Sequence, residues 1–104
     1  EFTGQKPTVL TQPATNITTT SANLNGEVNA NSLNTTVSFE YGTTTAYGST
    51  ATATPNTVTG GSNTNVSANI SGLTANTLYH FRVKTVNSYG TTYSNDLSFM
   101  TDTY

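Results

Sequence analysis

A chain of 104 residues has room for one hydrophobic core and buries roughly two-thirds of its unfolded surface. Only 33% of it is hydrophobic and 8% charged, and a net charge of −2 is too small for the highly charged composition of disordered chains. Lys6, Arg82 and Lys84 are too few to neutralise a row of phosphates, no apolar run reaches the length of a membrane span, and no cysteine offers a disulfide, a thiolate or a thiol metal site.

Thr favours strands, and Asn, Ser and Gly favour turns. No window carries an apolar stripe at helical spacing, so the chain reads as all-β. Residues 1–6 are read as a tail or linker; Glu1-Phe2 is the dipeptide that an EcoRI cloning junction encodes. The absence of a signal peptide fits a piece of a longer chain. The domain is expected over residues 7–102, with 103–104 as a short tail. A first strand begins at Pro7, with Val9 and Thr11 on one face, breaks at Pro13, which has no N–H to donate, and resumes over residues 14–17. A strand interrupted in this way belongs at an edge.

Ser21-Ala-Asn-Leu-Asn-Gly-Glu-Val28 alternates strictly, with Ala22, Leu24, Gly26 and Val28 inward. Glycine at an inward position leaves a hole, and Phe39, Phe81 or Phe99 are the side chains expected to fill it. Residues 29–36 are turn chemistry. Val37-Ser-Phe-Glu-Tyr41 forms a third strand with Val37, Phe39 and Tyr41 inward. Residues 50–61 supply a fourth strand and a long connection that turns at Gly60-Gly61, and Asn65–Ile70 a fifth strand with Val66, Ala68 and Ile70 inward. In the sixth strand Tyr79, Phe81, Val83 and Thr85 share the buried face, while His80, Arg82, Lys84 and Val86 share the wetter one. Asn87-Ser-Tyr-Gly90 makes a turn into a seventh strand, from about Thr92 to Thr101, with Leu97 and Phe99 inward.

Leu73 stands six residues before Tyr79, a spacing that resembles the tyrosine corner of Greek-key sandwiches. Leu73-x-x-x-Thr77-x-Tyr79-x-Phe81-x-Val83-x-Thr85-x-Asn87 resembles the penultimate strand of a fibronectin type III domain. Leu24-Asn-Gly-Glu-Val28, Phe39-Glu-Tyr-Gly-Thr-Thr-Thr-Ala-Tyr-Gly48 and Asn87-Ser-Tyr-Gly90 extend the resemblance to a bacterial and archaeal branch of that family over about residues 14–101. The chain departs from the family's commonest pattern at Gly26, where a Trp is usual. The resemblance implies a seven-stranded, two-layer antiparallel β-sandwich of immunoglobulin-like Greek-key topology. Its first, second and fifth strands would face the third, fourth, sixth and seventh. It also implies an origin in a large secreted or cell-surface protein.

Candidate chemistry is sparse. His80 is the only imidazole, and no acid is placed near it by the pattern; Asp96 stands alone, so neither a Ser-His-acid triad nor an oxygen-rich cation site is expected. Glu40, Arg82 and Lys84 share an outer face, where a cross-strand ion pair is expected, and outward-pointing Lys84 does not suit an isopeptide bond. The short Thr row over residues 50–54 is too small to act as an array. The sequons at Asn16, Asn34, Asn65 and Asn69 follow from composition. Tyr47, Tyr89, Tyr93 and Tyr104 are the rings expected to be exposed, and exposed aromatics stack on sugars and anchor interfaces.

The economical expectation is a non-catalytic spacer of an extracellular or surface-anchored prokaryotic protein, monomeric as an isolated domain, with neighbouring domains of the same chain as its partners. An accessory module of an extracellular enzyme such as a polysaccharide hydrolase is one setting compatible with this expectation. Its important residues would be structural: Leu73 and Tyr79 for the corner, with Leu24, Phe39, Phe81, Val83 and Phe99 for the core. The alternative is a module that binds polysaccharide or a surface protein through Tyr47, Tyr89 and Tyr93. No cofactor, metal, nucleic acid or membrane insertion is expected under either reading.

Overall fold

The computed structural model describes residues 6–103; Glu1-Phe2 and Tyr104, singled out above, lie outside them. The described residues form eight antiparallel strands and no helix: β1 (Thr8–Thr15), β2 (Ala22–Asn29), β3 (Thr35–Gly42), β4 (Ser49–Val58), β5 (Asn63–Ile70), β6 (Leu78–Asn87), β7 (Gly90–Tyr93) and β8 (Leu97–Met100). β1, β2 and β5 make one layer, while β4, β3 and β6 make the other, with β7 and β8 both paired to β6. A single bridge, Thr54 to Ser67, joins the layers along one edge and curls them into a continuous sheet.

The alternation seen in the sequence is what fills the space between the layers. Ala22, Leu24, Gly26 and Val28 are buried, as are Val37, Phe39, Val66, Ala68, Ile70, Tyr79, Phe81 and Val83, while their neighbours along each strand face outward. Phe99 stacks on Tyr79 with centroids 5.7 Å apart and meets Phe81 edge-on at 5.9 Å, so three of the expected core rings form one cluster. Tyr41 and Leu97 are only half-buried at its margin.

Several expectations are corrected. The space at Gly26 is filled by valine and not by phenylalanine. A Cβ there would lie 2.5 Å from Val83 Cγ2, because the opposite layer comes close enough for a branched side chain to reach, and 3.6 Å from Cγ2 of Val66, its ladder partner on β5. At Pro13 the expected interruption is confined to the ladder, where pairing with β2 lapses between Gln12 and Thr15, and the strand itself does not end there. It continues to Thr15 through a register shift after Gln12, and Asn25 Nδ2 donates to the Pro13 carbonyl at 2.9 Å. The fourth strand also bulges: residues 53–56 leave the β3 ladder between Thr52 and Thr57, and it is there that β4 reaches across to β5.

The seventh strand is two strands, which makes the total eight instead of seven. Ser94-Asn95-Asp96 interrupts it, and Ser94 substitutes for the missing ladder: its Oγ accepts from Val83 N–H at 2.7 Å, and its own N–H donates to the Val83 carbonyl at 3.0 Å. The break has a second use. Thr11, buried in β1, donates its N–H to Asn95 Oδ1 at 3.2 Å, and its hydroxyl bonds both Ser94 Oγ and the Asn95 carbonyl. The edge opposite the β4–β5 bridge is thereby closed by side chains.

The corner residues sit at the β5–β6 connection. Leu73 and Tyr79 are buried, and the Tyr79 hydroxyl accepts a hydrogen bond from Thr74 N–H at 2.9 Å. Tyr79→Phe is expected to cost about 1–2 kcal/mol, because Thr74 N–H loses its acceptor while the ring packing survives. Denaturant unfolding checks this; a loss under a few tenths would remove the hydroxyl from the account.

Candidate functional site

The outer face of the β4-β3-β6-β7 layer gathers a group of polar and aromatic side chains. β6 supplies His80, Arg82 and Lys84 at alternate positions, about 6–7 Å apart along the strand. The β3–β6 register sets Glu40 opposite Arg82 and Ser38 opposite Lys84, and the β6–β7 register sets Tyr93 opposite Lys84. The expected ion pair is formed: Arg82 Nε donates to Glu40 Oε1 at 2.9 Å, with Nη2 at 2.8 Å from the same oxygen.

Tyr47 is delivered to this face by the turn between β3 and β4. Gly42 lies so close beneath the Tyr47 carbonyl that a Cβ would overlap it, and Tyr47 itself takes a left-handed backbone, φ 62°. Thr44 holds the turn, its carbonyl accepting from Tyr47 N–H at 3.0 Å and its Oγ1 from Ala46 N–H at 3.2 Å. The Tyr47 ring is half-buried, not free as its place in a turn suggested. The Arg82 guanidinium carbon lies 4.5 Å from the centroid of Tyr47 and 3.8 Å from that of Tyr93. Each such contact is worth about 0.5–1 kcal/mol at an exposed site, and together they hold two rings and a cation in one arrangement.

Asp96 is the main correction to the sequence reading. It does not stand alone: Oδ1 accepts from the Tyr47 hydroxyl at 2.7 Å, and Oδ2 lies 3.0 Å from His80 Nδ1. Partial desolvation opposes its ionisation. The hydrogen bonds from Tyr47 and His80, with the positive charge of His80 and Arg82, outweigh that and hold its carboxyl below the usual range. The same contact acts in reverse on Tyr47. Desolvation, then the bond to anionic Asp96, push the phenol up to about 12.

The break after β7 places Asp96 beside His80, so the turn residues Ser94-Asn95-Asp96 were the available signal. Ser98 lies opposite His80 in the β6–β8 register, yet no hydrogen bond links its hydroxyl to the ring, so the chain of contacts runs Tyr47–Asp96–His80 and stops. No group of three metal-ligating side chains occurs among the described residues.

Of the three tyrosines considered for binding, Tyr47 and Tyr93 are gathered around Arg82. Tyr89, 55% exposed, sits apart at the β6–β7 turn, where its N–H donates to Asn87 Oδ1 at 2.8 Å. Tyr93 keeps 46% of its surface open.

No family model and no curated protein matches the chain. Among the solved structures that resemble it are two of the sensor domain of the anti-sigma factor RsgI4 from Pseudobacteroides cellulosolvens. The longer version is 23% identical with a TM-score of 0.64, the likeness covering 94% of this chain and 91% of that one. The shorter is also 23% identical, with a TM-score of 0.67 over 96% of this chain and 98% of that one. The chain is therefore similar in fold to these sensor domains over nearly its whole length.

Proposed function

We propose that the chain is a non-catalytic, extracellular recognition module of fibronectin type III-like topology that binds carbohydrate on the Tyr47–Arg82–Tyr93 face. The observation that carries this reading is the clamp itself. Arg82 fixes two tyrosine rings that would otherwise lose rotamer freedom on binding, which lowers the entropic cost of receiving a ligand. Glu40 and Asp96 add acceptors for sugar hydroxyls beside the rings. That the two similar structures are sensor domains supports a module that recognises something over one that only separates domains. A larger surface or secreted prokaryotic protein is the setting that fits.

A ¹⁵N chemical-shift titration against soluble oligosaccharides tests the proposal. Saturable shifts are expected around Tyr93, Arg82 and Tyr47, and Tyr93→Ala is expected to weaken binding by about tenfold or more. Absence of saturable shifts at millimolar ligand would leave the spacer as the better reading. One observation favours that second reading: the two ends of the described residues lie at opposite poles. The Lys6 carbonyl accepts from Asn31 at the β2–β3 turn, whereas Thr103 meets Asn76 in the β5–β6 connection.

A further inference from the structure

The charged groups on the proposed binding face are unevenly paired, and the unpaired one has a definite position. Both anions are answered: Glu40 by Arg82, and Asp96 by Tyr47 and His80. Lys84 has no ion pair or hydrogen bond to its side chain among the described residues. It lies in the middle of the face and is only half-exposed. Across the ladder its neighbours are Tyr93 on one side and Ser38 on the other, with Thr52 of β4 next in the row. Adjacent strands are about 4.8 Å apart. Lys84 therefore stands one strand spacing from Tyr93, with Ser38 and Thr52 following in the same row.

Resting on the carbohydrate reading above, we infer that the ligand is an acidic polysaccharide whose uronate carboxylate pairs with Lys84 while its ring stacks on Tyr93. A neutral sugar would leave the ammonium without a counter-charge when the ligand displaces water from it, which is a cost, whereas a carboxylate would turn the same desolvation into a charge-assisted hydrogen bond. Ser38 and Thr52 hydroxyls would serve the second carboxylate oxygen. The overall charge of −2 means that this attraction is local, so it is expected to depend on the one side chain.

The test compares oligogalacturonate, a neutral β-1,4-glucan oligomer of equal length and poly-glutamate against the 104-residue chain, by shift titration and calorimetry. The uronate is expected to bind about tenfold more tightly than the glucan, with the advantage shrinking as salt is added, and Lys84→Gln is expected to abolish that advantage while the chain stays folded by its spectrum. Equal affinity for uronate and glucan would overturn the inference and leave the carbohydrate reading standing. Poly-glutamate binding as tightly as uronate at Lys84 would overturn the sugar assignment. Binding of none of the three would overturn both.

Discussion

Gly42→Ala is expected to cost about 3 kcal/mol or more and to dismantle one arm of the candidate site. Overpacking a core usually costs about 1–3 kcal/mol, because side chains can rotate out of the way. Here the obstacle is the Tyr47 carbonyl, whose carbon and Cα also lie within contact of the new methyl, so the whole β3–β4 turn must lift. Lifting it withdraws the Tyr47 hydroxyl from Asp96 and the ring from Arg82. Gly42 is required for closeness and not for an unusual backbone. Gly48, six residues on, presents the opposite case: its φ is +101° and nothing lies within 4 Å of a Cβ, so Gly48→Ala is expected to cost only about 1–2 kcal/mol of backbone strain. Urea unfolding gives the stabilities, and ultraviolet titration follows the Tyr47 phenol, which desolvation and the bond to Asp96 push up to about 12. Loss of that late-titrating tyrosine in Gly42→Ala is the signature. A cost under about 1 kcal/mol with Tyr47 still ionising late would show that the turn is not pinned by Gly42.

The strands were readable because a half-buried strand imposes its period on side-chain chemistry. Leu24, Val28, Val37, Phe39, Phe81 and Val83 alternate with Asn, Ser, Glu, Arg and Lys, and water alone sorts them onto two faces. The Glu40–Arg82 pair was readable for the same reason, once β3 and β6 were taken as neighbours. The Tyr47–Asp96–His80 chain was not. Asp96 is 49 residues from Tyr47 and 16 from His80. Its position depends on two irregularities, the Gly42–Tyr47 close approach and the break at Ser94–Asp96, that change register locally without disturbing the apolar period. Bulges move polar residues, and in a chain so rich in Thr, Ser and Asn no polar position is marked out. Gly26 shows the same limit from the other side. A missing side chain in a strand signals a gap, but its filling by Val83 depends on the distance between layers, which no local pattern encodes.

Thr101 is the clearest case of a residue hidden by composition, and Thr101→Val is expected to destabilise the domain by about 2–4 kcal/mol. The side chain is 1% exposed, just past the end of β8. Its hydroxyl donates to the Thr74 carbonyl at 2.6 Å, lies 3.2 Å from the Thr77 carbonyl, and accepts from Thr77 N–H at 2.9 Å. Valine has nearly the same shape, so no cavity opens. What is lost is the partner of a backbone acceptor and of a backbone donor, each worth about 1–3 kcal/mol when left unsatisfied. The loop affected is the one that Tyr79 grips through Thr74 N–H, so Thr74 is held by its N–H from one side and by its carbonyl from the other. Residues that clamp one segment couple, and the Tyr79→Phe, Thr101→Val double variant is expected to lose less than the sum of the single losses, because the first release already frees the loop. Denaturant melts of the four proteins measure that coupling, and amide exchange at Thr77 is expected to accelerate in Thr101→Val. Strict additivity with slow exchange at Thr77 would mean that the corner is held by packing of Leu73 and Tyr79 alone, and that the buried hydroxyl is incidental.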